Sequence, residues 1–302
     1  MLAFHNGKYD ELIESVVRKK LGNHWKIQNI KQTHSNAMHD NAIFEGKGYC
    51  VFVKLGQNAF SYDQFLKEAN GLNYIREHSS VSTPEILGVV KSGEDVLLIM
   101  EAIHQVPIKT KKDWETIGRG LAALHRSTFN KCGFFEDNYL GTWQQNNDFR
   151  DNWVDFYADM RLRKMVDRAV QSGSVTREDL SLVEKLIERL PAISGPDQPF
   201  SLLHGDPWMN NDGEGNLLYD GEKLVVIDCG TYYGNREIDL STVALFYPVT
   251  DYFFDAYNEV YPIEKGYQER EELWRVNQRI SFTHFFGPQY KQELNTFIKR
   301  YL

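Results

Sequence analysis

Apolar residues in the first third of the chain recur first at helical and then at strand-like spacing. "YDELIESVVRKKLG" has a helical period that ends at Gly22, and the runs "WKIQNIKQ", "NAIFEG" and "YCVFVKL" predict three successive short strands, the third carrying Lys54. A second helix is predicted over "SYDQFLKEANGLNYIREHS", with Phe65, Leu66, Ala69, Leu72 and Ile75 at helical positions, Ser61 as its N-cap and Glu68 in its middle. Two more strands follow, "TPEILGVVKSG" and "DVLLIMEAI", the latter running apolar into Glu101, Ala102 and Ile103.

Beyond about residue 105 the pattern turns helical. "DWETIGRGLAALHRST" carries Ile117, Leu121, Leu124 and His125 in register, and "FRDNWVDFYADMRLRKMVDRAVQSG" predicts one longer amphipathic helix. "REDLSLVEKLIERLP" predicts a helix stopped by Pro191, and aromatic-rich helices fill the chain from about Thr250 onward. His125 reads as a packed or capping residue. These patterns imply a mixed α/β (α+β) chain of two lobes: residues 1–104 with a small antiparallel sheet plus helix, and residues 105–302, larger and mostly helical.

Composition narrows the function classes. With 302 residues, 42% hydrophobic and 13% aromatic, the chain can bury substantial cores. Its 34 Lys+Arg against 42 Asp+Glu give a net charge of −8 and a pI near 5.6, without a basic run, which argues against a nucleic-acid partner. No apolar run approaches the roughly 18 residues of a membrane span, and "MLAFHNGKYDEL" lacks signal-peptide regions, so a cytoplasmic protein without a membrane partner is expected. Cys50, Cys132 and Cys229 are odd in number and widely spaced, as reduced thiols would be.

The chemistry concentrates in "LLHGDPWMNN" and "VVIDCG". An aspartate, four residues, an asparagine, and a second aspartate after a short apolar strand is the spacing by which protein kinases place base and metal ligands around a nucleotide. Asp206 is thus the expected base and Asn211 and Asp228 the expected Mg²⁺ ligands. Lys54 on the third strand and Glu68 on the following helix match the pair that orients ATP phosphates, and the strand end Glu101–Ile103 falls where a hinge presents backbone groups to adenine. Arg236, Glu237 and Asp239 are expected to brace the loop after Asp228. His34, His39 and Asp40 lack a fourth ligand for zinc.

Together these residues resemble the fructosamine kinase (ketosamine 3-kinase) family, within the kinase-like and aminoglycoside phosphotransferase group. "FVK" with "FLKEANGL" is similar to the family's ATP-lysine strand and helix, and "GRGLAALHR" to its first large helix of the second lobe. "CGFFEDNYLGTWQQNNDFRDNWVDFYADMRL" sets Asn138, Gln145, Asn147, Trp153, Phe156 and Arg161 at family positions. "HGDPWMNN" with "DCGTYYGNREIDLS" resembles HGDLWxGN and DPAxYYGDREADLA. Pro207, Asn210, Cys229, Gly230 and Asn235 depart from that pattern without removing a catalytic or metal group. Between Gly22 and Gly46 there is no glycine, whereas the family has a glycine pair near the phosphates; Ser35 and Asn36 are the side chains expected to donate there instead.

The resemblance implies an ATP- and Mg²⁺-dependent 3-phosphotransferase acting on ketosamines, free or protein-bound, in glycation repair, with Trp208, Gln145 and Asn147 walling the acceptor pocket. Two alternatives stay open: a kinase of another small hydroxylated amine such as an aminoglycoside or choline, and a non-catalytic nucleotide-binding regulator. The oligomeric state is not legible.

Overall fold

The computed structural model describes residues 4, 6–33, 39–210, 212, 214–287 and 289–302. Helix α1 (Asp10–Leu21) leads into strands β1 (Ile27–Gln32), β2 (Asp40–Gly46) and β3 (Tyr49–Gly56); helix α2 (Ser61–His78) precedes β4 (Ile86–Ser92) and β5 (Asp95–Glu101). The five strands form one antiparallel sheet in the order β1-β2-β3-β5-β4. Alternation of side chains divides the sheet's two faces. Val51, Val53, Leu55, Leu97 and Ile99 pack with Ile13, Val16 and Val17 of α1, while Val96, Leu98 and Met100, with Phe52, pack on Phe65 and Ala69 of α2. Two expectations for α2 are corrected. Leu66 lies off the buried stripe and is exposed, and Ser61 sits one residue inside the helix, where its hydroxyl accepts from the Asn58 N–H at 3.0 Å instead of capping.

The remaining elements are mostly helical. Helix α3 (Lys111–His125) starts with a capping box between Thr110 and Asp113, and is followed by β6 (Thr128–Phe129) and a hairpin of β7 (Asn138–Leu140) and β8 (Trp143–Gln145). The expected long helix exists but changes winding: α4 (Trp153–Phe156) passes into a π-helical segment (Tyr157–Arg163) and then α5 (Lys164–Gln171). Helix α6 (Arg177–Ile193) does not stop at Pro191; the proline lies in its last turn, where the lost N–H costs only a terminal bond.

Strand β9 (Phe200–Leu203) then runs into the "HGD" turn. β10 (Leu217–Tyr219) pairs with β11 (Leu224–Val226), and β12 (Tyr232–Gly234) pairs with β9, which also pairs with β6. Helices α7 (Glu237–Val243), α8 (Asp251–Val260), α9 (Tyr267–Trp274), α10 (Val276–Phe285) and α11 (Gln289–Arg300) complete the chain. The large core runs from Leu121 and Leu124 of α3 through Phe156, Tyr157 and Leu202 to Phe253 and Trp274. Seven short strands, β6 to β12, went largely unread in the sequence, because two- to four-residue runs carry no period.

The π-helical segment has a visible task. It buries Arg161 completely, with the guanidinium 4.7 and 4.2 Å from the centres of the Phe156 and Tyr232 rings. Arg161 donates to the Asn146 carbonyl at 2.9 Å and to Asn147 Oδ1 at 2.6 Å, tying the β7–β8 hairpin to the helical core. Replacing Arg161 with Met keeps the apolar stem but strands both acceptors. Arg161→Met is expected to cost about 2–3 kcal/mol, as for other charged hydrogen bonds, read as a lowered midpoint in denaturant unfolding.

Candidate functional site

Strand alternation and helical period converge on one ion cluster. Lys54 shares its side of β3 with Phe52 and so faces α2; Glu68 lies in the buried stripe of α2 that also holds Ser61, Phe65, Leu72 and Ile75. Lys54 Nζ donates to Glu68 Oε1 and Oε2 at 2.9 and 2.8 Å, and to Asp228 Oδ1 at 2.7 Å. Asp228 has φ of 53°, the left-handed region, the one such residue other than glycine among the described residues. Aspartate tolerates that conformation better than most, and it turns the carboxylate out of the chain path toward Lys54.

The charges of the cluster are unequally satisfied. Burial opposes the Lys54 cation, but the two carboxylates beside it raise its pKa overall. Glu68 is pushed up to about 7, chiefly by burial and only partly offset by Lys54. For Asp228, burial is outweighed by Lys54, and its pKa falls below the ordinary value. Its side chain keeps 37% of its surface open, so it remains reachable.

The "HGD" turn is built by a second set of bonds. The carboxylate of Asp239, on α7, accepts from the His204 N–H at 2.7 Å and the Gly205 N–H at 3.1 Å. His125, fully buried, bonds Asp239 Oδ2 through Nε2 at 3.1 Å and Tyr257 OH through Nδ1 at 2.7 Å. His204 donates from Nε2 to the Ile227 carbonyl at 2.9 Å and accepts the Asp206 N–H at Nδ1, 3.2 Å away, which links the turn to the strand leading into Asp228. Burial lowers the pKa of both histidines, so they hold this network as neutral rings. Gly205, at φ 90°, has no room for a side chain: a Cβ would sit 2.2 Å from the Gly230 carbonyl oxygen.

Asp206 emerges from this turn into a cavity of about 720 Å³ that Lys54, Glu68, Asp228 and Trp208 also line. Burial first, then the negative charges of Asp228 and Asp239, push the Asp206 carboxyl up to about 7. Asn216 restrains it, donating to its carbonyl at 2.9 Å and to Oδ2 at 3.2 Å. A carboxyl that titrates near neutrality, beside an anchored lysine and a second ionised carboxylate, can take a proton from a hydroxyl while hard oxygen ligands and a cation hold phosphate.

Five of the expected residues, Lys54, Glu68, Asp206, Trp208 and Asp228, therefore meet in one cavity. Gln145 and Asn147 do not reach it: both are buried behind its wall. Gln145 Nε2 donates to Asn138 Oδ1 at 3.2 Å, and Asn138 in turn donates to the Thr231 carbonyl at 2.9 Å, so the hairpin supports the chain just after Asp228. Asn147 is spent on Arg161 and the Glu136 carbonyl. Glu101, Ala102 and Ile103 also lie outside the cavity lining, and Ala102 is no free donor because its N–H is given to the Cys50 carbonyl at 3.1 Å.

Asn211, Ser35 and Asn36 lie outside the described residues, as does His34. Asp239 braces the turn before Asp206 and not the loop after Asp228, while Glu237 ties α7 to α9 through Arg270 and Trp274. Cys229 lines the cavity, but burial pushes its thiol up to about 12, which leaves it unreactive. Among the described residues no three His, Cys, Asp or Glu side chains are grouped as a metal site. Unforeseen were Asn216 and the aromatic residues Phe246, Tyr247, Phe282, Phe285 and Phe286, which wall the same cavity. Asn216 stands in the loop before β10 with no motif to mark it, and the doublet Phe285–Phe286 reads from sequence as ordinary core.

The fructosamine kinase family model matches residues 9–302, nearly the whole chain. The chain belongs to the fructosamine kinase family. A "Probable ketoamine kinase" of Synechocystis is 31% identical over 265 residues, covering 85% of this chain and 86% of that protein. The mouse protein named "Ketosamine-3-kinase" is 26% identical, covering 92% of this chain and 96% of its own length. A crystal structure from Thermobifida fusca, of a "putative fructosamine-3-kinase", superposes with a TM-score of 0.83 at 28% identity, over 95% of this chain and 97% of that one. An aminoglycoside phosphotransferase solved with AMP-PNP and hygromycin B shares the fold, with a TM-score of 0.60 at 13% identity and coverage of 95% and 97%. The kinase-like α/β fold and membership among ketosamine kinases are thereby shown, and ATP use follows from the family. No helix among the described residues is long and apolar enough to cross a membrane.

The raised carboxyl of this fructosamine kinase relative has a measurable cost. A group with a pKa near 7 in the fold and near 3.8 in the unfolded chain binds more protons when folded. Its burden on stability is therefore full above the folded value and fades as pH falls through it. Asp206→Asn is expected to raise the melting temperature of the metal-free protein at about pH 8, with the gain shrinking toward about pH 5. Calorimetry of both proteins across that range checks the trend, and a gain that does not change with pH would contradict the assignment.

Proposed function

We propose that the chain transfers the γ-phosphoryl group of ATP to the C3 hydroxyl of ketosamines, sugar–amine adducts such as fructosamines or ribulosamines, free or on protein lysines. The observation that carries this reading is the shared cavity: Lys54 anchored by Glu68 and Asp228 on one side, and Asp206, its carboxyl pushed up to about 7, projecting from the "HGD" turn. Asp206 is the general base. Its Asn216 contact orients it, and the Asp239 brace fixes the turn on which it stands.

The donor set fits magnesium and nucleotide. Asp228 offers an open, ionised carboxylate, and Asn211, five residues after Asp206, supplies the second oxygen ligand by its place in the sequence. Lys54 holds phosphate oxygens as a buried cation, with Glu68 keeping it in place. Bound Mg²⁺ would neutralise charge developing on the transferred group. Ser35 and Asn36 are proposed to stand in for the absent glycines at the phosphates, and Glu101, at the end of the β3–β5 pairing, and Ile103, two residues beyond it, to border the adenine. In this reading residues 1–104 form the nucleotide lobe and 105–302 the acceptor lobe.

Trp208, two residues beyond the base, walls the acceptor, whereas Gln145 and Asn147 act by holding the hairpin behind it. The phosphorylated adduct would then decompose to release the amine, a role in glycation repair within the cytoplasm. Neither carboxylate of the apparatus is missing, which favours an enzyme over a nucleotide-binding regulator.

Asp206→Asn is expected to lower kcat by roughly 10²-fold or more with KM for ATP nearly unchanged. Asp228→Ala is expected to abolish Mg²⁺-dependent turnover. For the unaltered enzyme kcat/KM, which reports the free enzyme, should rise with pH along a limb near 7, where Asp206 ionises. Phosphorus-coupled NMR of the product should place phosphate on C3 of the sugar. Turnover of choline or an aminoglycoside, with none of any ketosamine, would overturn the proposal.

A further inference from the structure

The cavity has two chemically distinct regions. All its lining carboxylates, Glu68, Asp206 and Asp228, and its cationic Lys54 belong to the reacting region. The rest includes an aromatic face built from Trp208, the loop after α7 and helix α10. Trp208 meets Phe246 with ring centroids 5.8 Å apart, Phe246 meets Phe282 at 5.1 Å, and Phe282 meets Phe286 at 5.6 Å, so the rings form a continuous path outward from the catalytic turn. Phe246, Tyr247 and Phe286 are 45%, 44% and 49% exposed, far more than packing residues require. Large exposed rings beside a reactive site mark a surface that a ligand covers.

Polar chemistry is nearly absent from this face. Gln278 gives its amide N–H to Thr242 Oγ1 at 2.6 Å, and Ser281 gives its hydroxyl to the Gln278 carbonyl at 2.7 Å. The Tyr247 hydroxyl and the Trp208 indole N–H are the donors that remain, Gln278 Oε1 is an acceptor without a partner, and no arginine or lysine lines this part. A substrate whose amine carried a carboxylate would bury that charge here without a partner, at substantial cost. An aminoglycoside, with several ammonium groups, would find no carboxylate on this face.

Resting on the ketosamine reading, we propose that this aromatic face binds the amine-side substituent of the acceptor, and that this substituent is an uncharged apolar segment attached directly to the amine. Two sources share that chemistry: the methylene stem of a lysine within a protein, and a free amine bearing an alkyl or aryl group. In either case the sugar sits toward Asp206 and the substituent runs along Phe246, Phe282 and Phe286, with the protonated amine near the faces of the rings.

The test uses one sugar on three amines: benzylamine, the ε-amine of an Nα-acetyl-lysine amide, and glycine. The benzyl and lysine adducts are expected to show KM values on the order of 10-fold below that of the glycine adduct, the scale of burying one small apolar group. Phe246→Ala and Phe286→Ala, both at exposed rings and so tolerated by the fold, are expected to raise KM for the benzyl and lysine adducts about 5- to 10-fold. The same changes should raise KM for the glycine adduct less than about twofold, with KM for ATP unmoved. A lower KM for the lysine adduct assigns the face to protein-bound substrate, and a lower KM for the benzyl adduct assigns it to free amines. Turnover of all three with equal KM, or equal effects of the variants on all three, overturns the aglycone assignment alone. Failure of every ketosamine to react overturns the ketosamine reading, and this inference with it.

Discussion

One ammonium shared by two carboxylates organises this molecule. Lys54 is buried, and its charge is tolerable only because Glu68 and Asp228 both reach it. That requirement couples two consecutive elements, the third strand of the sheet and the helix behind it, to a loop distant in sequence, the one after β11. With Asp206 nearby, the site holds more carboxylate than cation. The surplus shows in Glu68 and Asp206, both pushed up to about 7 chiefly by burial, while Asp228 stays ionised. A site short of positive charge is one that a divalent cation relieves.

Support for the catalytic turn comes from a different chemistry. Two neutral, buried histidines and Asp239 hold the backbone of "HGD" from behind, and His204 also grips the strand that ends at Asp228. The hairpin of β7 and β8 supports the opposite side through Asn138 and Gln145, and is itself fastened by Arg161. Of these residues Asn138 alone lines the cavity, yet together they hold the loops that carry the reacting side chains, as supporting residues do in other preorganised sites.

The sheet and its two helices were legible because strand alternation and helical period there span six or more residues, enough to assign each face. The ion cluster was legible for the same reason, since parity places Lys54 toward the stripe that contains Glu68. Gln145 and Asn147 were misplaced because a motif records which residues recur and not which atoms they face: each spends its amide on a neighbour. Pro191 was misread as a stop because a proline costs little in a final turn. Asn216 and the aromatic face were invisible because they join the site through tertiary packing of α10 and a loop, and phenylalanines on a helix look alike whether they face core or cavity.

The contact between Gly205 and the Gly230 carbonyl oxygen has a consequence for how this fold can diversify. Main chain touches main chain there, with no side chain between to lengthen or shorten. The spacing of the loops that bear Asp206 and Asp228 is thus a property of the backbone, and substitution elsewhere can hardly retune it. Change in this architecture is channelled outward: the chemistry stays in fixed register while the rings on α10 and the loop after α7 are free to vary with what they receive.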